Sequence, residues 1–307
     1  MLKYVLKRMF LMVLTLYIVA TITFFMMHSI PGSPFNSLQN VQPMVMAAIE
    51  EKYRMNDPTH IQYARYMSDL LKGDLGPSLL YQGMTVSGLI SGGLPTTAQL
   101  ALFSITVIIV ISIPLGIYAA LKNNRWQDGL TMAFATVGVS VPSFIMATVL
   151  LYIFAMQLRW VPSFGLETAR SFILPIFALA AYSVAFLTRL TRSSLLDVMN
   201  QDYIRTARAK GLPESKVIWK HALRNALLPV VTVLGPLIAG LLTGSFAIER
   251  IFAIPGIGGF FVSSIQNRDY PTIMGMTMFY CTLLVSMVFI VDLLYVIIDP
   301  RIKVDNS

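Results

Sequence analysis

Between residues 10 and 30 the chain runs for 21 positions without a charged side chain, and no other feature constrains its fold as strongly. At 1.5 Å per residue, a helix of that length crosses the roughly 30 Å hydrocarbon layer of a bilayer. Five further apolar runs follow, at about 95–120, 129–158, 172–187, 226–247 and 271–298. Only 12% of the 307 residues are charged, about half the ~25% of an ordinary soluble domain. A disordered tail is excluded, and a soluble globular enzyme does not fit. The reading is an all-α integral membrane protein with six transmembrane helices, whose solvent is the lipid bilayer. The net charge of +8 does not point to nucleic acid, because the basic residues are confined to the segments between the apolar runs.

The first run follows Lys3, Lys7 and Arg8, a positive flank shared with secretory signals. Its apolar core is too long for a signal, and His28-Ser29-Ile30-Pro31-Gly32 is not a small-x-small cleavage site, so it is expected to be retained. Residues 31–94 are polar and carry two helix starts. Pro43 opens 44–52, and Asp57 is expected as a cap, with Pro58 at the first position before a helix over 60–72. Fifteen of the 23 Lys and Arg residues fall on one side, in the N-terminus, the second and fourth connections and the tail. That side is therefore cytoplasmic, and the long first loop and the 249–270 connection lie outside. Both termini are then expected on the cytoplasmic side of a single cytoplasmic membrane.

Proline and glycine mark irregular places. Pro142 lies near the middle of the third run and Gly235-Pro236 inside the fifth, where lost backbone hydrogen bonds predict a kink. Gly240 and Gly244 form a GxxxG pair that permits close helix approach.

Catalytic chemistry is not visible. There is no Gly-Lys-Ser/Thr phosphate loop, no His-Glu-x-x-His and no Gly-x-Ser-x-Gly. The three histidines, His28, His60 and His221, are far apart, and Cys281 is the single cysteine, so no catalytic residue and no metal site are assigned. Asp292 is the one acid well inside an apolar run. It reads either as a functional group or as an interfacial acid held by backbone or a nearby arginine.

The fourth connection, 188–225, carries eight basic and three acidic residues and reads as short helices broken at Gly211-Leu212-Pro213. Tyr203, Ile204, Ala207, Leu212, Val217, Ile218 and Trp219 give it an apolar face. That face suits docking onto a soluble partner or lying on anionic lipid, and periodicity leaves both open.

The stretch Tyr203-Ile-Arg-Thr-Ala-Arg-Ala-Lys-Gly211-Leu-Pro, followed by His221-Ala-Leu-Arg-Asn-Ala-Leu-Leu-Pro229, resembles the cytoplasmic signature loop of binding-protein-dependent ABC importer permeases of the dipeptide, oligopeptide and nickel family. Gly211 matches the pattern's glycine. Arg205-Thr206-Ala207 replaces its Glu-Ala-Ala, and His221-Ala222-Leu223-Arg224 replaces its Ile-x-Leu-Pro. Four further stretches agree in order and spacing: Gly73-Asp-Leu-Gly76-Pro-Ser78, Leu94-Pro-Thr-Thr, Glu249-Arg-Ile-Phe-Ala-Ile-Pro-Gly-Ile-Gly258, and Asn267-Arg-Asp-Tyr-Pro271. So does Pro31-Gly-Ser-Pro34 after the first run.

The resemblance implies a type I ABC importer fold. Residues 1–93 would form the first helix and an extracytoplasmic loop region, 94–298 the transmembrane domain with its coupling loop at about 188–225, and 299–307 a tail. It implies a second homologous permease subunit, two cytoplasmic ABC ATPase subunits, an extracytoplasmic peptide-binding protein and a peptide substrate. No cofactor would be bound by this chain, ATP and Mg residing on the ATPases. The ATPase-coupling residues would be Tyr203, Arg205, Thr206, Ala207, Arg208, Lys210, Gly211, Leu212 and Glu214. Gly235, Pro236, Gly240 and Gly244 would mark a gate or pore helix. Import of dipeptides or of nickel or metal chelates, and a self-sufficient secondary transporter, are the alternatives. A membrane enzyme would need an acid/base or metal constellation that the sequence does not show.

Overall fold

The computed structural model describes residues 2–29, 56–81 and 83–298. The helix expected at 44–52 and the 31–34 motif lie outside them. The described residues are helical, with a single antiparallel bridge between Pro77 and Thr85. In chain order the helices are α1 (Leu2–Ser29), α2 (Thr59–Leu71), α3 (Val86–Leu121), α4 (Trp126–Ser140) and α5 (Ser143–Gln157). They continue as α6 (Ile173–Met199), α7 (Asp202–Ala209), α8 (Glu214–Ala226), α9 (Leu228–Leu242), α10 (Phe246–Ile251), α11 (Ile257–Gln266) and α12 (Tyr270–Ile298). Among the described residues, four helices are long and apolar enough to cross a membrane, or up to six if two bent pairs each count as one span.

Those bent pairs refine the sequence reading. The third apolar run divides at Val141-Pro142, where α4 and α5 meet at 106°. A proline cannot supply the amide that would continue α4, and Val141 before it is held extended at ψ 120°. The kink expected at Gly235-Pro236 is absent as a break. Helix α9 runs through both residues, and the 47° bend lies upstream, at Leu227. Gly235 serves close packing instead, since a Cβ there would lie 2.7 Å from Val291 Cγ2 on α12. The second run also begins earlier than expected, because α3 starts at Val86 and carries Pro95 within it. The fourth run likewise extends to Met199, so Arg189 and Arg192 lie on α6.

The chain divides into two compact units, with boundaries inside α3 and α12. The first comprises Met1–Pro95, Ile257–Ser286 and Lys303–Ser307. In it, Phe24 of α1 is buried against Tyr63 and Tyr66 of α2, and the Thr21 hydroxyl lies 2.8 Å from the Tyr63 hydroxyl. Asp57 does not cap α2 as expected. Its carboxylate pairs with Arg65 and its carbonyl accepts from the Gln62 amide, while Pro58 takes the cap position. The Tyr66 hydroxyl is buried without a hydrogen-bond partner, and burial pushes its pKa up to about 12. A phenol that ionises at about 10 when unfolded and about 12 when folded stabilises this packing fully below pH 10. We expect an alkaline transition of the α1–α2 packing between pH 10 and 12, followed by tyrosine fluorescence. Tyr66→Phe should abolish it and stabilise the neutral state by about 1 kcal/mol, because an unsatisfied buried hydroxyl is removed.

The second unit comprises Thr96–Gly256 and Met287–Ile302. Its helices pack through small residues. A Cβ on Gly138 of α4 would sit 2.8 Å from that of Ala185 on α6, and one on Gly116 of α3 would sit 2.5 Å from Thr191 Cβ. Such close backbone approach is how membrane helices gain contact when lipid gives no hydrophobic drive between them.

Candidate functional site

The 202–226 segment is built around a glycine turn. Helix α7 ends at Ala209, and Gly211 adopts φ +74°, a left-handed conformation that side chains other than glycine's resist. Its amide donates to the Arg208 carbonyl at 2.9 Å and the Leu212 amide to the Ala207 carbonyl at 3.4 Å, the double bond pattern of a Schellman cap. Pro213 then prevents continuation, and α8 begins at Glu214. Within α8, Val217–Ala222 is wound as a π-helix, a local register change that re-aims the side chains following it.

Most of the apolar face of this segment is packed against its own chain rather than presented to a partner. Ile204, Ala207, Val217, Ile218, Ala222, Leu223 and Ala226 are buried against Ile117 and Ala120 of α3 and Leu195 of α6. Leu212 packs on the same cluster. Burying these side chains stabilises the segment as part of its own unit. Of the aromatic residues, Tyr203 and Trp219 remain exposed, and the Asn225 amide donates to the Tyr203 hydroxyl at 2.8 Å.

The outer surface is polar. Arg205, Thr206, Arg208, Lys210, Gly211 and Glu214 are all exposed. Arg208 pairs with Glu214 across the glycine turn at 2.6 Å, which raises the guanidinium's pKa above its ordinary value, and Arg205 reaches Asp202 at 3.5 Å. The arrangement is a charged knuckle with two helix ends on either side of Gly211.

The residues expected on a gate helix scatter. Gly235 is buried against α12, whereas Pro236 and Gly240 are exposed and a Cβ on Gly240 would meet nothing within 4 Å. Gly244 lies beyond the end of α9 with φ +80°, so the GxxxG pair does not share a helix face. Asp292 lies on α12, half-buried.

Three buried acids escaped the sequence reading as a group. In the second unit, Glu249 of α10 accepts the Thr97 hydroxyl at 3.2 Å. Gly256 closes over its carboxyl, where a Cβ would come within 2.4 Å. In the first unit, Asp269 takes up the Ser78 hydroxyl at 2.5 Å, the Thr272 hydroxyl at 2.7 Å and the amides of Leu80 and Thr272. Four of the short motifs thus meet in pairs: 94–97 with 249–258, and 73–78 with 267–271. The third acid, Asp128 of α4, receives both Arg192 Nε and Nη2 at 2.6 Å. An acid beside basic loop residues gives no hint in sequence that it is buried.

An apolar cavity of about 570 Å³ lies between α3, α5 and α6, lined by Val107, Ile111, Leu150, Phe154, Phe177 and Val184 among others. Its walls carry no charged side chain.

A multi-pass helical membrane protein with two sharply bent apolar helix pairs and a charged helical knuckle at a glycine turn has the layout of an ABC importer membrane subunit. The chain belongs to the family described as binding-protein-dependent transport system inner membrane component, whose model matches residues 112–304, with the family's N-terminal component matching 1–101. It is 45% identical over its whole length, and that of the relative, to the dipeptide transport system permease protein DppB of Bacillus subtilis. It is 42% identical to the oligopeptide permease protein OppB of Salmonella typhimurium, over 99% of this chain and all of that one. Among solved structures, an inward-facing methionine ABC transporter, MetNI, aligns with TM-score 0.51 and 20% identity over 67% of this chain and 92% of that one. An amino acid ABC transporter solved with histidines aligns with TM-score 0.51 and 17% identity, over 68% and 93%. These likenesses show the type I permease fold.

Proposed function

We propose that this chain is one of two permease subunits of an ATP-driven importer, forming with a homologous partner the path for peptides handed over by an external binding protein. The observation that carries the reading is similarity along the full chain to dipeptide and oligopeptide permeases. ATP is bound with Mg and hydrolysed by two ATPase subunits on the cytoplasmic side, and this chain binds no cofactor. The exposed residues around Gly211, Arg205, Arg208, Lys210 and Glu214 among them, engage those ATPases. Residues 1–93 and 299–307 flank the transmembrane domain of 94–298. The N-terminus and the 202–226 segment face the cytoplasm, by the distribution of Lys and Arg.

The test is affinity purification from native membranes followed by reconstitution with the recovered partners. The expected result is a second six-span protein and two ATPases, with uptake of peptide that requires ATP and the binding protein. Recovery of this chain alone, moving solute without ATP, would overturn the reading.

Gly211→Pro is expected to leave the chain inserted in the membrane while abolishing coupling. Proline fixes φ near −65° where the turn needs +74° and removes the amide bonded to Arg208. Peptide-stimulated ATPase activity of the reconstituted complex is the readout, and a normal value would count against the role of the turn.

A further inference from the structure

Arg192 stands one turn before Leu195 on α6, and Leu195 is fully buried in the cluster that seats α7 and α8. From that position its guanidinium reaches back to the turn between α3 and α4. It grips Asp128 through two parallel bonds of 2.6 Å and donates to the Asn123 side chain at 3.0 Å. Asp128 also accepts the Asn124 amide at 3.1 Å. The Asp128 side chain is 6% exposed and that of Arg192 23%. A two-pronged guanidinium–carboxylate pair fixes orientation as well as distance, which a single apolar contact does not. Further along, α4 lies against α6 at Gly138 and Ala185, three residues before the extended Val141. The chain then turns through 106° at Pro142. The 202–226 segment, α6, the α3–α4 turn and α4 are therefore tied at three places below that elbow.

The geometry points to Asp128 and Arg192 as positioning residues for energy coupling. They make the α3–α4 turn and α4 follow the 202–226 segment, so that a displacement applied at the Gly211 turn is delivered to the Pro142 elbow. This deepens the importer reading and rests on it. Without the pair, α4 keeps its small-residue contacts with α6 and the single exposed bond from Arg189 to the Thr136 hydroxyl at 3.1 Å, and the segment moves without carrying the elbow fully along.

Two measurements test this in the complete importer complex. In the first, Asp128→Asn keeps the size of the side chain and removes its charge, and Arg192→Lys keeps the charge and removes the fork. Peptide taken up per ATP hydrolysed should fall on the order of tenfold in Asp128→Asn and less in Arg192→Lys, with the ATPases still bound. An unchanged ratio together with a lowered melting temperature would reduce the pair to a folding clamp and overturn the proposal. In the second, with Cys281→Ser as background, spin labels are placed at Arg125→Cys on the α3–α4 turn and Lys216→Cys on α8. Their separation should stay constant with and without ATP, and a change of several ångströms would overturn the proposal without relying on any substitution of the pair. Failure of the importer reading shows separately, as absence of ATP-driven uptake by the unmodified complex.

Discussion

Gly116→Ala is expected to destabilise the purified protein by about 3 kcal/mol, toward the upper end of what overpacking a core costs. The added methyl would lie 2.5 Å from Thr191 Cβ and 2.8 Å from the Thr188 carbonyl oxygen. Neither atom is the free end of a flexible side chain, so relief requires α3 and α6 to separate. Separation weakens contacts along the seam that also buries Ser112, Thr188 and Thr191. Gly240→Ala is the matched control, because nothing lies within 4 Å of the added atom. In an exposed helical position that change should be neutral or slightly stabilising, since alanine is the better helix former. Thermal denaturation in detergent separates the two, and equal behaviour would show that the α3–α6 approach is not as close as described.

Asp269→Ala should cost roughly 3 kcal/mol and loosen the loop between α2 and α3. The carboxylate takes up two hydroxyls and two backbone amides, all within a site where Ser78, Asp269 and Thr272 are almost inaccessible to water. Removing the acceptor leaves buried donors unmade, each costing about 1–3 kcal/mol, with part recovered as the loop lets water in. Asp269→Asn retains one acceptor oxygen and should lie between wild type and alanine. Limited proteolysis of the 73–81 stretch, read beside the melting temperature, checks both. Unchanged cleavage in Asp269→Ala would show that the Pro77–Thr85 bridge holds the loop unaided.

Membrane character and the approximate span positions were legible because lipid imposes a crude rule: long uncharged runs bounded by charge. Pro142 was legible as well, since a missing amide inside a helix has a local cause. Gly235-Pro236 looked identical in sequence and behaved otherwise. Its glycine is used for contact with Val291, a residue 56 positions later in the chain. The glycine turn at 211 could be read from Gly-Leu-Pro alone. The burial of Ile204 and Val217 could not, because an amphipathic helix has the same pattern whether it covers its own chain or another. Asp128, Glu249 and Asp269 hid for a related reason: an acid in a short polar loop looks solvated until the residues that enclose it are known. Glu249 and Asp269 lay inside motifs that the resemblance had flagged, yet the pairing of those motifs follows only from the fold.

The bond from Ser78 to Asp269 joins residues 191 positions apart. At about 5–20 residues per second of synthesis, the acid emerges from the ribosome some ten to forty seconds after the serine. Throughout that interval the donors around Ser78 and Leu80 have only water to satisfy them. The loop they belong to can reach its final form only once the last helix has begun to enter the bilayer. A nascent chain arrested before that point would therefore present that loop unfastened, a ready substrate for a protease that clears incomplete products.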